Sequence, residues 1–188
     1  MVEGDYLLTD DPWDELLWVW KQTDVPKGCK VEIIEGLVSV APYSAVISQE
    51  ISEPLSGHLY EVIPGCWGVY QRLALTVAAR QELYVPDLAV VPRPALRHED
   101  DFVPAGAAEL VVEVTSAATA CRDRTRKAEG YAAAGVPLYL LVDGLAPGGP
   151  TATLYGDPQA GAYRVLTSVP FGTPVALPAP FGLSVPLG

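Results

Sequence analysis

Only three cysteines occur in the 188 residues, Cys29, Cys66 and Cys121, and only two histidines accompany them. They are scattered and contain no CxxC pair, which excludes a structural zinc site made from thiols alone and reads as reduced, buried thiols. Positive charge is scarce as well: 12 Lys and Arg stand against 23 Asp and Glu, a formal net charge of −11. Broad, sequence-independent adhesion to nucleic acid needs many cations to displace counterions, so it is disfavoured. A local basic patch, or a metal ion that inverts the preference of an acidic site, is compatible with the same total. The chain does not open on a basic segment followed by an apolar run, so no signal peptide is expected. No apolar stretch approaches the ~18 residues that span a bilayer, and the expectation is a cytoplasmic protein with no membrane partner. GxSxG, Walker and GxGxxG patterns are lacking too, which removes support for serine-hydrolase and nucleotide-fold readings.

What is present is enough for a substantial core. The chain is 49% hydrophobic and 19% charged, which suits one domain over residues 1–188. Trp13, Leu16, Leu17 and Trp20 fall at i, i+3, i+4 and i+7, a helical face opened by Asp11-Pro12. The run Lys30 to Val40 reads as a hairpin turning at Glu35-Gly36. Ser44 to Ile63 reads as a helix that Pro54 should kink or divide. Strand-like runs follow at Trp67 to Val77, Leu83 to Val91, Glu109 to Val114 and Pro137 to Val142, with a helix at Thr119 to Ala134 before the last. Uniformly apolar strands flanking a helix predict an α/β sheet covered on both faces. Beyond Thr151 the glycine- and proline-rich tail holds hairpin-like strands, and its apolar end, Phe171 to Leu187, offers a surface for a homodimer.

Two acids interrupt otherwise apolar strands: Asp87 in Leu83-Tyr-Val-Pro-Asp-Leu-Ala-Val-Val91 and Glu113 in Leu110-Val-Val-Glu-Val114. A carboxylate placed in a buried strand loses several kcal/mol of solvation unless it is paired or metal-bound. Two of them on neighbouring strands make a site for a hard cation such as Mg²⁺. The plainer reading, two solvated strand-end acids, has equal weight on pattern alone. In the following helix Asp123, Lys127 and Tyr131 share one face at i, i+4 and i+8, from which Lys127 could reach the two acids. An exposed Asp123–Lys127 ion pair is the plainer alternative. Other candidates are His58 and His98, and a rim of Arg93, Arg97, Arg122, Arg124 and Arg126.

Pro86-Asp87, Glu113-Val-Thr-Ser116, Asp123, Lys127, Tyr131, Gly135-Val136 and Val142-Asp143, preceded by Glu32-Ile-Ile-Glu-Gly36, resemble the Uma-type restriction endonuclease family of the PD-(D/E)xK nuclease superfamily. The resemblance spans about residues 12 to 185. It implies a restriction-endonuclease-like mixed central sheet flanked by helices, with an extra C-terminal β region, and a metal-dependent endonuclease acting on nucleic acid, DNA first. It implies Asp87, Glu113 and the Val114 carbonyl as ligands of Mg²⁺, with Mn²⁺ as a substitute. Glu35 would be an auxiliary acid, and Gln71 a weaker neighbour of the site. Such an ion polarises a phosphoryl oxygen and acidifies a bound water, while an ammonium stabilises the charge developing on the phosphate. The superfamily signature places its lysine two residues after the second acid, where this chain has Thr115, so Lys127 takes that role. A histidine common near the start of the long helix is also lacking at residues 43 to 47. A nuclease-fold binding or assembly module without catalysis, and a metal-dependent hydrolase of small phosphoesters, are the alternatives.

Overall fold

The computed structural model describes residues 11–43, 45–96 and 101–187, without the side chains of residues 45–48. Expectations resting on the first ten residues, Ser44, the Ile47 side chain, Arg97 and His98 lie outside the described residues. Helix α1, Pro12–Gln22, starts where Asp11 Oδ1 accepts the Trp13 N–H at 2.9 Å. Its Trp13, Leu16, Leu17 and Trp20 face packs, half-buried, on the core residues Ile33, Leu83 and Val85. Strands β1, Cys29–Ile34, and β2, Leu37–Pro42, form the expected hairpin. Glu35 and Gly36 both have left-handed backbone, with φ of 53° and 74°, as the tight two-residue turn requires.

The remaining strands divide between two sheets. Strands β4, Leu75–Val77, β5, Glu82–Tyr84, and β7, Val103–Pro104, join the hairpin in the order β2-β1-β5-β4-β7. The larger sheet contains β3, Trp67–Tyr70, β6, Leu88–Pro92, β8, Leu110–Val114, β9, Leu138–Asp143, β10, Thr151–Gln159, and β11, Ala162–Pro170. Its order is β11-β10-β9-β8-β6-β3, and it is mixed: β8 and β9 run parallel while the other pairs are antiparallel. A third, small hairpin pairs β12, Val175–Leu177, with β13, Leu183–Val185.

Two runs read as single strands each cross from one sheet to the other. Residues 83–91 break at Val85-Pro86-Asp87 because proline has no N–H to continue a ladder. Residues 67–77 turn at Arg72, whose φ is 54°. Pro54, in contrast, does not divide helix α2, Ala45–Val62. It lies on the exposed side, where the carbonyl left without its helical donor faces water.

The large sheet is covered on both faces, as its apolar strands require. Leu88, Val90, Leu110, Val112, Leu138 and Leu140 point to one side, packed beneath Ile51, Leu55 and Leu59 of α2. Val175, Leu177, Phe181, Val185 and Leu187 complete that layer. These tail residues are therefore spent inside the chain and do not supply the dimer surface expected of them. Ala89, Val91, Val111, Tyr139 and Leu141 point to the other side, against helix α3 (120–133) and the smaller sheet. Helix α3 is α-helical at Ala120–Arg122 and Ala128–Ala133 and widens to a π-helical turn at Asp123–Lys127, where Tyr139 donates its hydroxyl to the Asp123 carbonyl at 2.9 Å. The packing under α3 is close at Gly130. A Cβ built there would lie 2.3 Å from the hydroxyl of the fully buried Tyr84. Gly130→Ala is therefore expected to lower stability by about 1–3 kcal/mol, despite alanine's better helix propensity. Urea unfolding checks this, and an unchanged or raised midpoint would show that Tyr84 can give way.

Candidate active site

Strand register brings the two interior acids together. β6 and β8 pair with Ala89 opposite Val111 and Leu88 opposite Val112, and one further step sets Asp87 opposite Glu113. Both are buried, Glu113 completely. Asp87 sits just past the Pro86 break, and its Oδ2 accepts the Val114 N–H at 2.8 Å.

Helix α3 supplies the ammonium. Lys127 is 0% exposed, and its Nζ lies 2.8 Å from Glu32 Oε1, 3.0 Å from Glu113 Oε1 and 3.1 Å from Asp123 Oδ1. One turn on, Tyr131 donates its hydroxyl to Glu113 Oε1 at 2.9 Å. The helical face read at Asp123, Lys127 and Tyr131 thus points inward, and the alternative of an exposed ion pair is excluded. From the opposite side Lys30 donates to Glu113 Oε2 and to the Val85 carbonyl, both at 3.1 Å. Glu32 Oε1 also accepts the Val85 N–H at 2.8 Å.

Four buried carboxylates, Glu32, Asp87, Glu113 and Asp123, therefore surround two buried ammoniums. Burial alone would discharge both lysines, yet Glu113, Glu32 and Asp123 hold the Lys127 ammonium well above its ordinary value, and Glu113 foremost raises Lys30. Burial likewise works against the Glu32 carboxylate, but Lys127 and Lys30 hold it below the usual range. The surplus negative charge appears at Glu113, which burial pushes up to about 7 even with both lysines opposing, Asp123 and Glu32 adding to the rise. Asp123 expresses the same surplus: its Oδ2 receives no hydrogen bond among the described residues, and Oδ1 has only the ion pair to Lys127.

The side-chain oxygens of the centre are the donor type a hard divalent cation takes, and its four carboxylates outnumber its two ammoniums. Among the described residues no group of three or more His, Cys, Asp or Glu side chains is arranged so that it could hold a metal ion. The two ammoniums lie between the carboxylates instead.

Glu35 is not part of the centre and corrects the expectation placed on it. It occupies the hairpin turn, where its side chain is 66% exposed and, among the described residues, pairs with Arg126 at 3.7 Å. Glu32, three residues earlier, points inward in its place. Gln71 is exposed in the bend after β3. The three thiols are not the buried ones expected of them, since Cys66 and Cys121 are exposed and Cys29 is half-buried. His58 lies on α2, across the large sheet from α3. Of the arginine rim, Arg93 is exposed and the three arginines of α3 are held by protein partners. Arg124 clamps Asp143 at 2.6 and 2.9 Å, Arg126 binds Glu82 at 2.8 Å, and Arg122 binds Ser39 at 2.9 Å. Sequence reading passed over Lys30 and Glu32. They alternate with Val31 and Ile33, and that period-2 pattern ordinarily marks a solvent-facing side.

The Arg124 clamp gives a pH expectation. Hydrogen bonds from Arg124 first, then from the Leu145 N–H and Thr115, hold the Asp143 carboxyl below its ordinary 3.8. A depressed folded-state value stabilises the fold above the unfolded value, and the contribution is lost as pH falls through the folded one. Melting temperature should therefore drop more steeply below about pH 4 in wild type than in Asp143→Asn. Parallel acid limbs in the two proteins would contradict this.

A family model described as "Uma2: Putative restriction endonuclease" matches residues 15–188. No curated protein matches the chain. A crystal structure of a putative nuclease belonging to DUF820 from Anabaena variabilis ATCC 29413 is similar in fold, with a TM-score of 0.67 at 19% identity and 93% of each chain covered.

Proposed function

The chain belongs to the Uma2 family of restriction-endonuclease-like proteins, and from that premise we propose that its buried centre hydrolyses phosphodiester bonds of nucleic acid, DNA foremost, with Mg²⁺. One observation carries this reading above the rest. Asp87, Glu113 and Lys127, far apart in sequence, meet in one interior cluster that holds more carboxylate than its own cations neutralise. Asp87 and Glu113 would hold the ion together with the Val114 carbonyl, and Mn²⁺ would substitute. When bound, the ion supplies Lewis-acid polarisation of the scissile phosphoryl group.

The chain's own residues do the rest. Lys127 keeps Glu113 and Glu32 charged and oriented, and its ammonium offsets negative charge as it develops on the phosphate. Tyr131 fixes the second lone-pair direction of Glu113 Oε1. Glu32 fills the auxiliary role that sequence reading gave to Glu35. Lys30 holds Glu113 Oε2 at 3.1 Å, so the carboxylate would offer that oxygen to an ion only in competition with the ammonium.

The test is cleavage of single-stranded, duplex and branched DNA and RNA in Mg²⁺, Mn²⁺ or EDTA, with p-nitrophenyl phosphate as a small-ester control. Metal-dependent cutting of nucleic acid is expected. Hydrolysis of the small ester alone, or no turnover of any substrate, would overturn the reading.

A further inference from the structure

A cleft of about 560 Å³ opens beside the carboxylate centre, lined by Trp20, Lys21, Lys30, Arg72, Val85 and Asp101 among others. Its inner wall is the outer wall of the centre. Lys30 and Val85 are buried, and both are tied to the centre, Lys30 through Glu113 and Val85 through Glu32. The mouth is formed by the exposed Lys21, Arg72 and Asp101. Among the described lining residues the exposed charges are two cations, Lys21 and Arg72, against one carboxylate, Asp101, while the Lys30 ammonium is already paired to Glu113.

Neither cation at the mouth is locked away. Lys21 pairs with Asp101 at 3.0 Å, but both side chains are largely exposed, so the pair contributes little and an incoming anion can displace it. Arg72 is partnered by the Tyr43 hydroxyl and lies 5.2 Å from the centre of the Tyr43 ring. Its own backbone is left-handed, with φ of 54°, a conformation that disfavours any residue but glycine. A strained backbone thus presents a planar, always-charged guanidinium at the cleft mouth, a donor geometry that matches phosphate.

We propose that this cleft is a phosphate subsite along which a single nucleic-acid strand reaches the centre, Arg72 taking a backbone phosphate at the mouth with Lys21 beside it. The volume is that of a small-ligand pocket, room for a nucleotide or so and not for a duplex. The proposal rests on the phosphodiesterase reading for its purpose, but it can be tested without turnover. Binding of a fluorescein-labelled oligothymidylate single strand is followed by anisotropy in EDTA, from low to physiological salt. Inorganic phosphate serves as competitor, and Arg72→Ala and Arg72→Lys are compared with wild type.

Wild type should bind, phosphate should compete, and binding should weaken with salt. Arg72→Ala should bind on the order of tenfold more weakly and lose about 0.7 of the salt slope, the share of one single-strand phosphate contact. Arg72→Lys should keep that slope. Equal affinity and slope in wild type and Arg72→Ala would overturn the subsite, even if the protein cuts DNA in Mg²⁺. A strand that binds through Arg72 but is never cut leaves the subsite standing and overturns the phosphodiesterase reading instead.

Discussion

Lys127→Met is expected to destabilise the fold by about 3–5 kcal/mol, the penalty of leaving buried carboxylates without their counter-charge. Lys127 is the common partner of Glu32, Glu113 and Asp123 at 2.8–3.1 Å, and the methionine would fill the space without the charge. The sign of the pH dependence follows. Without the ammonium the carboxylates of the centre bind protons more tightly in the folded than in the unfolded chain. The variant should then lose stability as pH rises, because the folded state must surrender protons it retains at lower pH. Glu32→Gln in the same background removes one of the stranded charges and should return part of the loss. Urea unfolding of the single and double variants at pH 6 and 8 checks all three statements. A loss below about 1 kcal/mol would mean that the cluster is not held together by its charges.

Asp87→Asn is expected to separate chemistry from stability. Asparagine keeps an oxygen to accept the Val114 N–H that Asp87 Oδ2 accepts at 2.8 Å, so the strand junction should hold to within about 1 kcal/mol. The charge needed to hold a divalent ion is removed, and metal-dependent cleavage should fall by on the order of 10²–10³-fold or more. Cleavage at an undiminished rate would place the reaction elsewhere in the molecule.

Much of the architecture was legible because its causes are local. The apolar runs around Leu110–Val114 and Leu138–Asp143 announce strands covered on both faces, and the 3.6-residue spacing of Asp123, Lys127 and Tyr131 announces one helical face. The turn at Glu35-Gly36 follows from glycine's tolerance of left-handed backbone. What was not legible is tertiary. Whether a strand changes sheets at Pro86 or at Arg72 depends on which neighbours the flanking halves find. The same holds for the centre. Asp87 and Glu113 stand out because a charge within an apolar run demands a reason. Lys30 and Glu32 lie in an alternating strand, which normally puts its charged face in water, and here that face is the interior one. Only the packing of the smaller sheet against α3 decides between those outcomes. Glu35 took its role from the family resemblance, although the Glu35-Gly36 turn signal already placed it outside the strand that carries Glu32.

The most direct measurement is calorimetric titration of Mg²⁺ into wild type and Asp87→Asn. Wild type should show a saturable single-site heat, and Asp87→Asn should show none while keeping its melting temperature. No Mg²⁺ binding by wild type in the millimolar range, or binding that Asp87→Asn leaves unchanged, would contradict a metal centre at Asp87 and Glu113.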